Sequence, residues 1–294
     1  MAAAILSALA RPRWWVLALA AFLVRGGFVV LILPIVIPPT AAGLANLVAP
    51  TLIGFVFGGP SVTFLVLVAT TAAIGGTCLV GGGLLGAWLD IALAREVAAD
   101  DELDVPLPQR PGRVLRVFVV RLAAHLPTLV TLAWAATRIV AETYAELLSP
   151  GDPDVPIALR VAARIPETLL LPSLAWLVGE ATGGLAARRI MAGLGVRSAL
   201  ASAWLDLVRH PSVVATFIVT DVVVGALLVL AVLVTAVTWD GLRIVLVDGG
   251  TGLEVRAALL MFGAAWLGGA WIISLATAFR QVAWTFEALR RSGR

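Results

Sequence analysis

Six stretches of the chain stay apolar long enough to cross a bilayer: roughly 14–37, 61–89, 114–137, 167–188, 212–238 and 257–283. A helix rises ~1.5 Å per residue, so about 20 residues cover a hydrocarbon layer ~30 Å thick. Between Arg25 and Asp90 no charged residue occurs at all. A soluble fold does not leave such a run uncharged. The solvent for much of this chain is therefore lipid, where a backbone must satisfy its own N–H and C=O groups, as a helix does. The pattern predicts an all-α integral membrane protein with six transmembrane helices, forming a single transmembrane domain over 1–294.

The connecting stretches are mostly short. Residues 40–60, TAAGLANLVAPTLIGFVFGGP, are apolar but broken by Pro50 and by Gly58–Pro60, and read as an interfacial or re-entrant piece. A seventh helix there would reverse every later loop. REVAADDELDVPLPQRPGR (95–113) is acidic, then basic, with three prolines, and reads as a cytoplasmic linker. SPGDPDVPIALRVAARIPE (149–167) begins as a turn and continues as a short amphipathic helix, and RSALASAWLDLVRH (197–210) has apolar positions at helical spacing. VDGGTGLEV (247–255) is glycine-rich, yet it matches neither GxGxxG nor GxxxxGK[ST], so a tight turn is expected.

Charge gives the direction of threading. Twelve arginines fall on the side that holds the N-terminus: Arg11, Arg13, Arg95, Arg110, Arg113, Arg188, Arg189, Arg197, Arg209, Arg290, Arg291 and Arg294. Five fall opposite, at Arg138, Arg160, Arg164, Arg243 and Arg256, and four lie within spans. The positive-inside rule then places both termini in the cytoplasm. Apolar sequence continues well past the small residues at Ala18–Ala20, so the first segment reads as a retained anchor.

Composition sharpens the class. Hydrophobic residues make up 61% and charged ones 13%, about half the charged fraction of a soluble domain, with a mean hydropathy of +1.02. All 21 basic residues are arginine, as a GC-rich bacterial coding bias would give. A net charge of +3 and a pI near 10.3 would suggest nucleic acid in a soluble protein. Here the arginines sit at the ends of apolar segments and serve orientation, so no nucleic-acid partner is expected. Cys78 is the single cysteine, which excludes an intramolecular disulfide, and His125 and His210 are too few for a histidine-rich metal site.

The odd-numbered spans start alike. Arg11-Pro12, Arg110-Pro111 and Arg209-His210-Pro211 precede the first, third and fifth, with prolines 99 and 100 residues apart. Proline suits the first turn of a helix, where its missing N–H is not needed. The even-numbered spans are rich in small residues and return to arginine: GGGLLGAWLDIALAR (81–95), GEATGGLAARR (179–189) and GGAWIISLATAFR (268–280). This reads as three helical-hairpin repeats, roughly 7–95, 108–192 and 205–290. Glycines in GGGLLG and GEATGG let backbones approach closely. Several tryptophans fall near span ends as an aromatic belt, while Trp176 and Trp271 are deeper and expected to pack between helices.

Charges inside the spans are the candidate site. Arg121 and Asp221 each lie ten residues after their repeat's proline, Arg25 thirteen after Pro12, and Glu180 about eight before the end of the fourth span. These four form a predicted charged layer, in which Arg25 and Arg121 would be neutralised by Asp221 and Glu180. His125, one turn from Arg121, is a lesser candidate member, expected to bond a neighbouring helix. The layer reads either as a structural lock between repeats or as a pathway for a substrate, ion or proton.

No catalytic or metal site is evident. There is no HExxH, no GxSxG and no aspartate-rich repeat for a diphosphate, and no cofactor is implied. The basic-Pro entries to alternate spans and the Gly/Ala-rich return helices resemble a loose group of uncharacterised bacterial six-span membrane proteins. That group includes the membrane domain beside some glycerophosphodiester phosphodiesterases. The resemblance covers most of the chain, but no phosphodiesterase domain lies within it, so that activity is not implied. The expected function is a multi-pass module of the bacterial cytoplasmic membrane that binds lipid or another protein. A transporter or permease subunit working with a partner ATPase is the first alternative, and a membrane-embedded lipid enzyme the second. An odd number of hairpins departs from the paired halves common in secondary transporters.

Overall fold

A computed structural model describes residues 2–36, 58–59, 61–99, 112–148 and 157–292. The described residues form helices and turns with no strand. In chain order these are α1 (Ala2–Ala10), α2 (Pro12–Phe22), a π-helical turn (Leu23–Gly27), α3 (Phe28–Ile32), α4 (Val62–Ala98), α5 (Arg113–Ala124), α6 (Leu126–Leu148), α7 (Ile157–Arg164), α8 (Glu167–Met191), α9 (Val196–Arg209), α10 (Pro211–Val247) and α11 (Gly252–Ser292). Among the described residues five helices are long and apolar enough to cross a membrane, or six where the bent pair of α5 and α6 is counted as one span.

The long helices overrun the expected spans, α4 ending at Ala98, α10 at Val247 and α11 at Ser292. Hydropathy marks where an apolar run stops, whereas a helix continues until a cap or breaker ends it. The third span, expected as one helix over 114–137, is two helices bent by 44°. Pro127 is the cause: it has no N–H for the Ala123 carbonyl, and His125 at the junction leaves helical geometry with φ −93° and ψ 2°. Helices occupy 157–164 and 196–209 as the amphipathic patterns predict. The expected piece at 40–60 lies almost wholly outside the described residues, as do Pro111 and most of the 95–113 linker.

The chain divides into two compact units. The first comprises Met1–Ser7, Ile91–Val223 and Arg280–Arg294. Within it α8 packs against α5, α6 and α9. Its glycines explain how: a side chain at Gly179 would meet the Ala124 carbonyl and the His125 ring, one at Gly183 the methyl of Ala124, and one at Gly184 the rings of Trp284 and Phe217. Trp284 is fully buried, stacks on Phe217 with centroids 4.4 Å apart, and donates its indole N–H to Thr220 Oγ1 at 2.7 Å. Arg188 is buried, donating to Gly184 O at 2.9 Å, Thr285 Oγ1 at 3.1 Å and Gln281 Oε1 at 2.8 Å. On α7, Arg160 and Arg164 reach the buried Glu146 at 3.2 and 3.0 Å.

The second unit comprises Ala8–Asp90 and Val224–Phe279. Here the first span is interrupted: Gly26 has φ +97°, a conformation other residues rarely adopt, and the π-helical turn around it separates α2 from α3. Trp15 meets Trp271 edge-on at 5.9 Å, Ser274 donates to Trp15 O, and Trp266 donates to Leu31 O at 3.0 Å. The turn at 248–251 ends α10 with Gly249 in the left-handed region and Gly250 N–H on Val245 O. Thr251 N–H then donates to Glu254 Oε2 at 2.7 Å while Glu254 N–H faces Thr251 Oγ1 at 3.4 Å, a reciprocal cap that starts α11. The glycine-rich motif is thus a helix stop joined to a helix start.

The tryptophans correct one expectation. Trp176 and Trp271 are 40% and 55% exposed, although Trp271 touches Trp15. The buried pair is Trp14 and Trp284.

Candidate functional site

Arg25 sits inside the π-helical turn, and the carboxylate that answers it is Asp90. One guanidinium nitrogen donates both to Asp90 Oδ2 and, at 2.9 Å, to the Gly86 carbonyl. Gly86 is small for a reason: a Cβ there would stand 2.7 Å from Arg25 Nε. Gly82, one turn earlier, lies against the Val24 carbonyl. The partner expected from the sequence, Asp221 or Glu180, is thereby corrected. α4 continues eight residues beyond 90, so Asp90 belongs to the helix interior rather than to its end. The two residues that bound the uncharged run bind each other.

Arg121, Glu180 and Asp221 come together in the first unit, joined by His125 and by Arg280. Arg121 Nη1 and Arg280 Nη1 each stand 3.8 Å from Glu180 Oε2, and Arg280 Nη1 donates to Asp221 Oδ1 at 3.1 Å. His125 Nδ1 lies 2.9 Å from Arg121 O and Nε2 3.4 Å from Glu180 Oε1. Arg121 and Asp221 are buried, at 9% and 4% exposure. Five side chains from α5, the α5–α6 junction, α8, α10 and α11 thus meet in one cluster. Two arginines oppose two carboxylates, so the cluster is charge-balanced before any proton on His125.

Arg280 was missed by sequence reasoning, as was Asp90. Both sit near the end of an apolar stretch, where a charge reads as interfacial. A usable signal existed for Arg280: Asp221 stands near the start of the fifth apolar run and Arg280 near the end of the sixth, so opposite charges fall at matching positions on consecutive helices. The guanidinium of Arg280 also lies 5.0 Å from the Trp284 ring centroid, with Arg188 at 5.5 Å.

A third feature belongs to the second unit. A cleft of about 310 Å³ is lined by Leu33, Pro34, Val36, Val232, Ala236 and Trp239, with Asp240 and Arg243 also on its wall. Asp240 and Arg243 are 3.6 Å apart and largely exposed, and Trp239 lies on Phe262 at 5.3 Å. One wall is apolar and one end carries a charge pair. Among the described residues no group of three or more His, Cys, Asp or Glu is arranged to hold a metal ion.

No protein-family model matches the chain, and no curated protein or solved structure matches it. The chemistry of these residues is therefore the ground for a functional reading.

Proposed function

We propose that this is a multi-pass protein of the bacterial cytoplasmic membrane, with both termini in the cytoplasm, that holds a phospholipid in the cleft beside Trp239. The cleft carries the reading. Its volume is at the lower end of ordinary ligand sites. The apolar wall suits an acyl chain, while Arg243 suits the phosphate and Asp240 an amine of the same headgroup. Support for the threading comes from the span count: five crossings would separate the termini, and counting the bent α5–α6 pair as one gives six, in agreement with the arginine asymmetry. α10, at 37 residues, is ~55 Å long, well beyond a ~30 Å core. A crossing by α10 therefore leaves one or both ends outside hydrocarbon, where Asp240 and Arg243 would meet headgroups.

The paired charges favour a holding module over a transport path. Arg25 has Asp90, and the two arginines of the cluster have Glu180 and Asp221. A transporter or permease subunit would have to open these pairs during its cycle. The three hairpins at 7–95, 108–192 and 205–290 belong to the same proposal, as a frame for the bundle.

Native mass spectrometry of the full chain released from mild detergent tests the lipid. The wild type should retain a phospholipid. Arg243→Gln should weaken retention about tenfold, as loss of one charge-assisted hydrogen bond implies, and Ala236→Trp should abolish it by filling the cleft. Retention unchanged in both variants would overturn the reading.

A further inference from the structure

The cluster of the first unit contains a contact that two hydrogen-bond acceptors alone would not make. Arg121 O can only accept, so His125 Nδ1, 2.9 Å away, carries a hydrogen and donates it. In a neutral imidazole the other nitrogen, Nε2, is then a bare lone pair. That lone pair faces Glu180 Oε1 at 3.4 Å. Two lone pairs at this separation repel in a low-dielectric setting, and a single proton between them turns repulsion into a charge-assisted hydrogen bond.

The surroundings hold the two groups in place. Gly179, the residue before Glu180, lies under the imidazole, where a Cβ would come within 3.2 Å of the ring. The bend at Pro127 sets His125 at the junction of α5 and α6 rather than along a continuous helix face. Glu180 Oε2 is buried and accepts no hydrogen bond among the described residues, with Arg121 and Arg280 both at 3.8 Å. Arg280 also serves Asp221. The charges that face the pair are Arg121 from α5 and Arg280 from α11, with Asp221 from α10 beyond Arg280.

We propose that His125 and Glu180 form a proton-binding site, holding one proton between imidazole Nε2 and the carboxylate. Binding adds a proton to the pair and forms one N–H or O–H bond, with no other bond changed. The cluster passes from neutral to a net charge of +1. This site is separate from the lipid cleft and stands or falls independently of it.

Two histidines in the whole chain make the test tractable. His210→Asn leaves His125 as the only histidine, and ¹⁵N-histidine NMR of the full chain in phospholipid nanodiscs reads each ring nitrogen. At neutral pH the expected spectrum shows hydrogen on Nδ1 and the shared proton on Nε2, or else a Glu180 carboxylic-acid band in the infrared. Glu180→Gln should remove both signatures, because the glutamine amide donates to Nε2 itself and no proton is required. Bare Nε2 beside an ionised Glu180 in the His210→Asn protein would overturn the proposal, even if the added Glu180→Gln substitution prevented folding. Retention of the Nε2 proton in Glu180→Gln would overturn it as well.

Discussion

Arg25 and Asp90 can each be removed singly, but the two losses are not equivalent. Arginine cannot shed its proton, whereas a stranded carboxylate can take one up. Asp90→Leu should therefore destabilise the full chain more than Arg25→Leu, by roughly 3 kcal/mol relative to wild type. The double substitution should recover part of that loss, measured as thermal unfolding in mild detergent; a double variant no better than Asp90→Leu would contradict the pairing. Packing at single glycines gives a second contrast. Gly184→Ala would drive a methyl into the Trp284 ring and should cost about 1–3 kcal/mol, while Gly225→Ala on α10, with open space around it, should be neutral. At this scale the sequence exposed the problem but not its solution. Arg25, Arg121, Glu180 and Asp221 were visible as charges in apolar stretches. Asp90 and Arg280 were hidden by standing where apolar stretches end, since hydropathy does not distinguish a buried charge from an interfacial one.

At the scale of elements, apolar runs translate directly into helices, because lipid leaves the backbone few alternatives. Interruptions were harder to read. Pro127 was present in the sequence but fell within an otherwise acceptable span, and Gly26-Gly27 breaks the first span without any polar signal beyond Arg25 itself. The turn at 248–251 was legible as a turn, and its Thr251-x-x-Glu254 spacing was the unused sign of a helix start. That cap makes a definite prediction. Thr251→Ala removes the hydroxyl that faces Glu254 N–H and should cost about 1 kcal/mol, seen as faster hydrogen exchange in the first turn of α11 and not in α8. Equal protection in both proteins would show that the cap contributes nothing.

For the molecule as a whole, the proposed threading has six crossings with both ends on the cytoplasmic side. The count depends on the bent α5–α6 pair acting as one span, and the direction depends on the arginine asymmetry alone. Single cysteines introduced one at a time into a Cys78→Ala background measure both together in intact cells and inverted vesicles. Positions 3, 105, 200 and 292 should react with an impermeant thiol reagent only from the cytoplasmic face, and positions 153 and 249 only from outside. Labelling of 105 from outside, or of 3 and 292 from opposite faces, would contradict the six-span arrangement.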